Sequence, residues 1–212
     1  MRLFTGDLVI VLIVQASDSP QLNGIKWALV EWKCSRYSLT GEHILNLDLN
    51  QFALQCRAIL QQDNSPSGRV RVAELLKQFL ADRQTLHGYF LPNAGERELL
   101  YEDPDLGFCI LAHSYKGPKT SNPHDHAHSW AIYGQADGET QMYDYELIEK
   151  PQGDVAGKVR AIRAYKLTPG EVYVYNEGDI HSPSRLAPTN LIRIEGTNMT
   201  KVKRDSFTVV QA

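Results

Sequence analysis

The chain has 212 residues, enough for one large domain or for one domain with an extension. Apolar residues make up 42% and charged residues 22%, and the formal net charge is -3, so there is neither the basic footprint that nucleic acid requires nor a polybasic patch for a membrane surface. The three cysteines, Cys34, Cys56 and Cys109, are widely spaced and odd in number; they make no disulfide framework, and a reducing, cytoplasmic setting is the expectation.

In chain order, the first feature is the apolar run "LVIVLIV" at residues 8–14. Its seven residues fall well short of the ~20 that a membrane span needs. As a secretory leader it is poorly formed: Asp7 sits just before the run, Arg2 is the only basic residue ahead of it, and no small-x-small site follows. A run so rich in β-branched residues reads as a buried strand, and "KWALVEW" at 26–32 reads as another. Residues 1–45 are therefore expected to form a strand-rich extension.

A helical segment is expected over 46–95. Leu49, Phe52, Cys56, Ile59 and Leu60 recur near helical spacing, with Asp48 or Asn50 as the cap. Val72, Leu75, Leu76, Phe79 and Leu80 form a cleaner stripe, and "DNSPSG" at 63–68 reads as the loop between the two helices. Both stripes are packing faces. From about Leu99 short β-prone runs alternate with turn signals: "GFCILAHSY", "SWAIYG", "TQMYDYELI", "VRAIRAYKL", "EVYVYN", "NLIRIEG" and "SFTVV". Strands at that spacing predict an all-β sandwich or barrel over 96–212. The alternating Tyr143, Tyr145, Tyr173 and Tyr175 fit strand packing.

The barrel region holds the chemistry. "SNPHDHAHSW" places His124, His126 and His128 at every second position, in a chain with seven histidines. Neighbouring members of such a set on a strand are ~7 Å apart and can share an ion; the outer two are ~13 Å apart and cannot, unless the strand bends. The pair is either His124 with His126 or His126 with His128, and a third ligand must come from elsewhere. His181 in "YNEGDIHSP" is the best candidate, because a glycine-containing turn precedes it and can aim it inward. His43, His87 and His113 lack such a setting, and His113, in an apolar run, reads as a satisfied structural histidine. His128 is left to orient a ligand or to face solvent. Trp130 and Tyr133 lie on the same stretch and line either the pocket or the core.

"GPKTSNPHDHAHSWAIYG" and "PGEVYVYNEGDIHSP" resemble the two metal-binding motifs of cupins, small double-stranded β-helix (jelly-roll) barrels. Gly170, Gly178 and His181 match the second motif, with Asn176 where it has proline. The first motif normally carries a glutamate where this chain has Ser129, Trp130 and Ala131, which implies a three-histidine site. Within cupins, "PHDH" is similar to the cysteine dioxygenase (thiol dioxygenase) family, as are the preceding helices, "RELLYEDPDLGF", "GQADGET" and "IEGTNM". The resemblance spans residues 70 to 200 and implies that His124, His126 and His181 are Fe(II) ligands and that Arg97 grips a substrate carboxylate. Gly95 replaces the family's tyrosine ahead of that arginine, and Ala131 replaces the cysteine that some members crosslink. Leu191, Arg193 and Glu195 replace its Ser-x-His-x-Tyr set.

Three neutral imidazoles leave a divalent ion its full charge and suit Fe(II) with open positions. The implied activity is a mononuclear non-haem iron dioxygenase that inserts O2 into a small anionic substrate, oxidising a thiol to a sulfinate. Another metal-dependent cupin enzyme (a C–C-cleaving dioxygenase or an isomerase) and a non-catalytic cupin that binds a small ligand are the alternatives. Arg193 and Glu195 alternate and so share a strand face. Either that face looks into the cavity and selects substrate, or the two form an outward ion pair while Ile192 and Ile194 pack inward. The expected partners are a small-molecule substrate and O2, and pairing with a second copy to give a homodimer stays open.

Overall fold

The computed structural model describes residues 48–210. The extension expected over 1–45, with its two strands, Cys34 and His43, lies outside those residues.

Helix α1 (Leu49–Gln62) starts at a capping box: the Asp48 carboxylate accepts from the Gln51 N–H at 2.8 Å, and the Gln51 side chain accepts from the Asp48 N–H at 3.3 Å. Helix α2 (Pro66–Ala81) begins inside the stretch expected to be loop. Ser65 is its N-cap and Pro66 occupies the first turn, where a missing N–H is no loss. A short α3 (Arg83–His87) is capped by Asp82. The predicted stripe of α2 is wholly buried, and Phe52 of α1 stacks on Phe79 of α2 at 4.4 Å between ring centroids.

Ten strands follow: β1 (Arg97–Glu102), β2 (Cys109–Tyr115), β3 (Lys119–Thr120), β4 (Ala131–Asp137), β5 (Thr140–Glu149), β6 (Gly157–Leu167), β7 (Val172–Tyr175), β8 (Ile180–Arg185), β9 (Thr189–Glu195) and β10 (Phe207–Val209). They form two five-stranded sheets, ordered β1-β2-β9-β4-β7 and β10-β6-β5-β8-β3. All pairings are antiparallel except β10 with β6. After β4 the chain passes to the second sheet for β5 and β6, back for β7, across for β8 and back for β9. This is a mainly β, double-sheet jelly roll preceded by helices, the fold class that the cupin resemblance implies.

The first sheet has two unlike faces, because side chains alternate along each strand. Ile110, Ala112, Ile132, Ile192 and Ile194 point one way and join the helices in one hydrophobic core. Leu111, His113, Tyr133, Leu191, Arg193 and Glu195 have the opposite parity. The helices approach so closely that a Cβ at Gly134 of β4 would lie 2.7 Å from Leu76 Cδ2 and 2.9 Å from Leu80 Cδ1. A smaller core of Ala131, Tyr133, Met142, Leu167 and Tyr175 fills the space between the sheets.

Two part-buried ionic clamps tie the helices to the loops around the barrel. Arg57 of α1 donates to both oxygens of Asp103 at 2.8 and 2.9 Å, at the β1–β2 turn. Arg69 of α2 donates to Glu177 at 2.5 and 2.6 Å and to Asn176 at 3.0 Å, in the turn before β8. That turn leads into β8, which carries His181.

Candidate metal centre

The histidine-rich stretch is not the continuous strand that its spacing suggests. His124 forms a single antiparallel bridge with His181: the His124 N–H donates to the His181 carbonyl at 3.0 Å, and the His181 N–H returns the bond at 2.9 Å. The chain then turns. The Asp125 carboxylate accepts from the Ala127 N–H at 3.0 Å, Ala127 takes a left-handed φ of 52°, and the Ser129 N–H reaches back to the His126 carbonyl at 2.9 Å. The turn breaks the alternation after His126, and His128 is exposed.

His181 is delivered by a second tight turn. Gly178 has a φ of 81°, a left-handed value that favours glycine, and the Asp179 carboxylate accepts from the Asn176 N–H at 2.7 Å. β8 then presents His181, Pro183 and Arg185 on one face. His124, His126 and His181 thus gather from two segments. Their rings lie 4.7 Å (124–181), 5.0 Å (126–181) and 5.8 Å (124–126) apart, and one nitrogen from each lies within 4.8 Å of the others. This group could hold a metal ion. Among the described residues it is the one such cluster of histidine, cysteine and acidic side chains.

Hydrogen bonds orient two of the rings. His124 Nδ1 lies 2.8 Å from the Asn122 carbonyl and His181 Nδ1 lies 3.2 Å from the Asp179 carbonyl, so each Nδ1 is the protonated donor. Each Nε2 therefore carries the free lone pair, the usual arrangement behind a metal-ligating histidine. Tyr175 stacks on His181 at 3.8 Å. His126 differs. Its Nδ1 is buried without a partner, while its Nε2 accepts from Arg193 Nη2 at 2.7 Å and lies 3.4 Å from the Tyr133 hydroxyl. Burial depresses the pKa of all three, His124 to about 4 and the others well below the ordinary imidazole value. Nearby arginines add to the depression, Arg193 foremost among them. All three rings are neutral at neutral pH, as ligation requires.

The cluster opens onto a cavity of about 710 Å³, with His124 and Tyr133 in its wall. Arg97 also lines it, and its Nη2 donates to Glu195 at 3.0 Å and to Asn198 at 3.1 Å. Arg193 lines it too, with its guanidinium 4.7 Å over the Tyr133 ring. The outward ion pair offered as an alternative for Arg193 and Glu195 is not what the structure shows; Ile192 and Ile194 pack against the helices and leave the charged pair facing inward. Glu195 is not in the cavity wall, contrary to the expectation that it meets substrate. It is fully buried behind the arginines: Oε2 accepts from Arg97 and from the Met199 N–H at 3.2 Å, and Oε1 lies 3.1 Å from Arg193 Nε without hydrogen-bond alignment. Trp130 also departs from the pocket expectation. It has the parity of Ile132, and so it enters the helix-facing core, with Arg69 5.4 Å over its ring.

No family model matches the chain, and no curated protein does. Among solved structures it is similar to KdgF from Halomonas sp. (18% identity, 47% of this chain and 74% of that one, TM-score 0.35). It is also similar to a cupin superfamily protein from Desulfitobacterium hafniense (12%, 50% and 80%, 0.36) and to the cupin domain of Cnp3 from Schizosaccharomyces pombe (11%, 54% and 71%, 0.40). The narrower likeness to thiol dioxygenases rests on the sequence motifs.

Sequence reasoning missed three cavity residues. His113 is buried in the wall with its Nε2 unpartnered, not the satisfied histidine expected. Its Nδ1 lies 3.3 Å from the hydroxyl of Tyr115, itself in the wall. Arg185 is the third. The available signals were parity: Arg185 stands four residues after His181 on one strand, and His113 pairs across the sheet with Arg97 on one side and Leu191 on the other. β8 itself was hard to see, because Pro183 and two serines give "IHSPSR" little strand character.

Proposed function

We propose that this protein is a mononuclear non-haem iron oxygenase of cupin type, similar to thiol dioxygenases, acting on a small anionic substrate that bears a thiol or a carboxylate. The observation that supports it is a cluster of three neutral imidazoles, with His124 in the wall of a cavity lined by arginines. The donor set fits Fe(II), which favours imidazole nitrogen and accepts open positions. Nε2 of His124 and His181 is presented for it, and Nε2 of His126 becomes available when Arg193 withdraws, since a neutral imidazole has one lone pair. When bound, the ion supplies a site for O2 and for an anionic donor atom of the substrate.

The chain's own side chains supply the rest. Arg97 keeps guanidinium N–H groups beyond the one that Glu195 and Asn198 engage, and it can fork onto a substrate carboxylate. Glu195 holds Arg97 and Arg193 in place from behind. Burial raises the Tyr133 phenol above its usual pKa, so at 3.4 Å from both His126 and His181 it stands as a neutral donor toward whatever occupies the centre.

Anaerobic loading with Fe(II), followed by O2 uptake measured with 3-mercaptopropionate and with cysteine, tests this function. Iron binding at one equivalent with thiol-dependent uptake is expected. Iron without uptake for either thiol counts against thiol oxidation, and no iron at all rules out the iron oxygenase and leaves an enzyme of another metal or the non-catalytic reading. One observation favours the non-catalytic alternative: Arg193 occupies the His126 lone pair, so the pocket is already a complete cationic receptor for a small anion.

A further inference from the structure

We propose that the cavity holds a second anion subsite centred on Arg185, so that its ligand is a small molecule carrying two oxyanion groups. The inference rests on reading this cavity as a small-anion site and adds the class of ligand. Arg185 is 2% exposed, yet its guanidinium makes no hydrogen bond or ion pair with the described residues, and its Nε is buried without a partner. Buried arginines are almost always paired, because an uncompensated charge out of water is strongly unfavourable. Burial draws its pKa below the ordinary arginine value, as expected for a cation without a counterion.

Two of the three local carboxylates are otherwise engaged. Glu96 pairs with Lys119, and Glu195 pairs with Arg97 and Arg193. Asp205 is exposed and forms no ion pair among the described residues. Against two wall carboxylates, Glu96 and Asp205, stand five cations: Arg97, Lys119, Arg185, Arg193 and Arg204. A ligand anion is the missing partner.

The surroundings of Arg185 are built for one. Its guanidinium lies 4.1 Å over the ring of Tyr115, which fixes its plane, and the Tyr115 hydroxyl lies 3.3 Å from His113 Nδ1. The other nitrogen of that ring, His113 Nε2, is also buried and unpartnered. Buried nitrogens left without a partner are rare, and both of these belong to one wall. Arg185 enters the cavity from the same face of β8 as His181, four residues further on and ~13 Å along the backbone. Arg97 and Arg193 serve one anionic group near the histidines, and Arg185 serves a second. A cavity of this size suits a small molecule held at both ends.

The test uses the full chain, stripped of metal by a chelator and kept anaerobic, titrated in a calorimeter with malonate, succinate, glutarate and adipate. Matched monocarboxylates and phosphoglycolate are run alongside. At least one two-anion probe is expected to bind about tenfold more tightly than its one-anion counterpart, the effect of one charge-assisted fork. Phosphoglycolate as the tightest probe makes the second group a phosphate, and a dicarboxylate as the tightest makes it a carboxylate. Arg185→Met is expected to erase the preference, leave monocarboxylate binding intact, and raise the melting temperature of the ligand-free protein. Arg185→Lys, which keeps the charge without the fork, serves if that variant does not fold and is expected to lose most of the preference. Equal binding of one-anion and two-anion probes overturns the subsite, as does a preference that survives either substitution. Neither metal nor O2 enters the measurement. Iron-dependent activity without two-anion preference therefore sinks only this inference, and preference without iron binding sinks only the oxygenase.

Discussion

The two faces of the first sheet are made from the same strands, yet they are opposites. In β9, Ile192 and Ile194 face the helices and are fully buried among apolar neighbours, while Leu191, Arg193 and Glu195 face the barrel interior one residue out of step. The helix side is close-packed enough that Gly134 has no room for a methyl group. The barrel side holds buried arginines, an engaged carboxylate, two imidazoles with an unpartnered nitrogen and a cavity. Stability resides on one face, and on the other side it is given up for charge held in place. The pattern is what a ligand site on a rigid scaffold requires.

That contrast can be broken from either side. The largest effect is expected on the apolar face: Phe79→Ala removes a fully buried ring stacked on Phe52 and should lower unfolding stability by about 3–5 kcal/mol in a denaturant titration. A loss under about 1 kcal/mol would mean that the helices do not anchor the barrel. Next is the carboxylate that holds the charged face together. Glu195→Gln should lose about 2 kcal/mol, the worth of a charged hydrogen bond to Arg97 with its neighbours, and should loosen Arg97 and Arg193 together. An unchanged midpoint would show that solvent in the cavity already compensates those arginines.

A smaller effect, opposite in sign, is expected at Arg193. Arg193→Met frees the His126 lone pair and removes a cation beside the cluster, so chelator competition with Co(II) should show metal affinity rising about tenfold. Unchanged affinity would show that the guanidinium leaves His126 without cost. His181→Ala should abolish stoichiometric metal in elemental analysis while the circular dichroism spectrum is retained, because its turn is held by Arg69 and Glu177 and not by the imidazole.

The gentlest probe is pH. Burial, reinforced by Arg193 and Arg97, holds the folded pKa of His113 well below its ordinary value of 6.5. A base with a depressed folded pKa binds protons more readily when unfolded. The stability it confers is therefore complete above 6.5 and is lost as pH falls below that value toward the folded pKa. In metal-free protein each such histidine adds a slope of at most about 1.4 kcal/mol per pH unit in that acid window. His113→Leu should flatten the curve there and leave it unchanged above pH 7. A variant that tracks the wild type through the acid window would mean that the ring is solvated when folded.

Much of this was legible in the residues. The helical stripes, Asp48 as a cap and most strands follow from periodicity, and the three clustered histidines from their spacing and the turn before His181. What misled was the local conformation between His124 and Trp130. An alternating pattern reads as a strand, but Asp125 and the left-handed Ala127 turn the chain, which removes His128 and resets the parity. Whether Trp130 takes the pocket or the core depends on the phase of the strand, and here the strand starts at Ala131, after the turn, which sends the indole to the core.

By itself the sequence determined the elements and the chemistry at hand: apolar periodicity makes helices and strands whichever partners they find, and imidazole and guanidinium carry their properties with them. Only the tertiary structure decided which face of each strand met the helices, and hence that Arg193 and Glu195 turned inward. It also decided that Arg185 and His113, far apart in the chain, share one wall, each with a buried nitrogen left unpartnered. Register and crossover are set by long-range pairing, where a shift of one residue exchanges core for cavity, and no local stretch of residues encodes that choice.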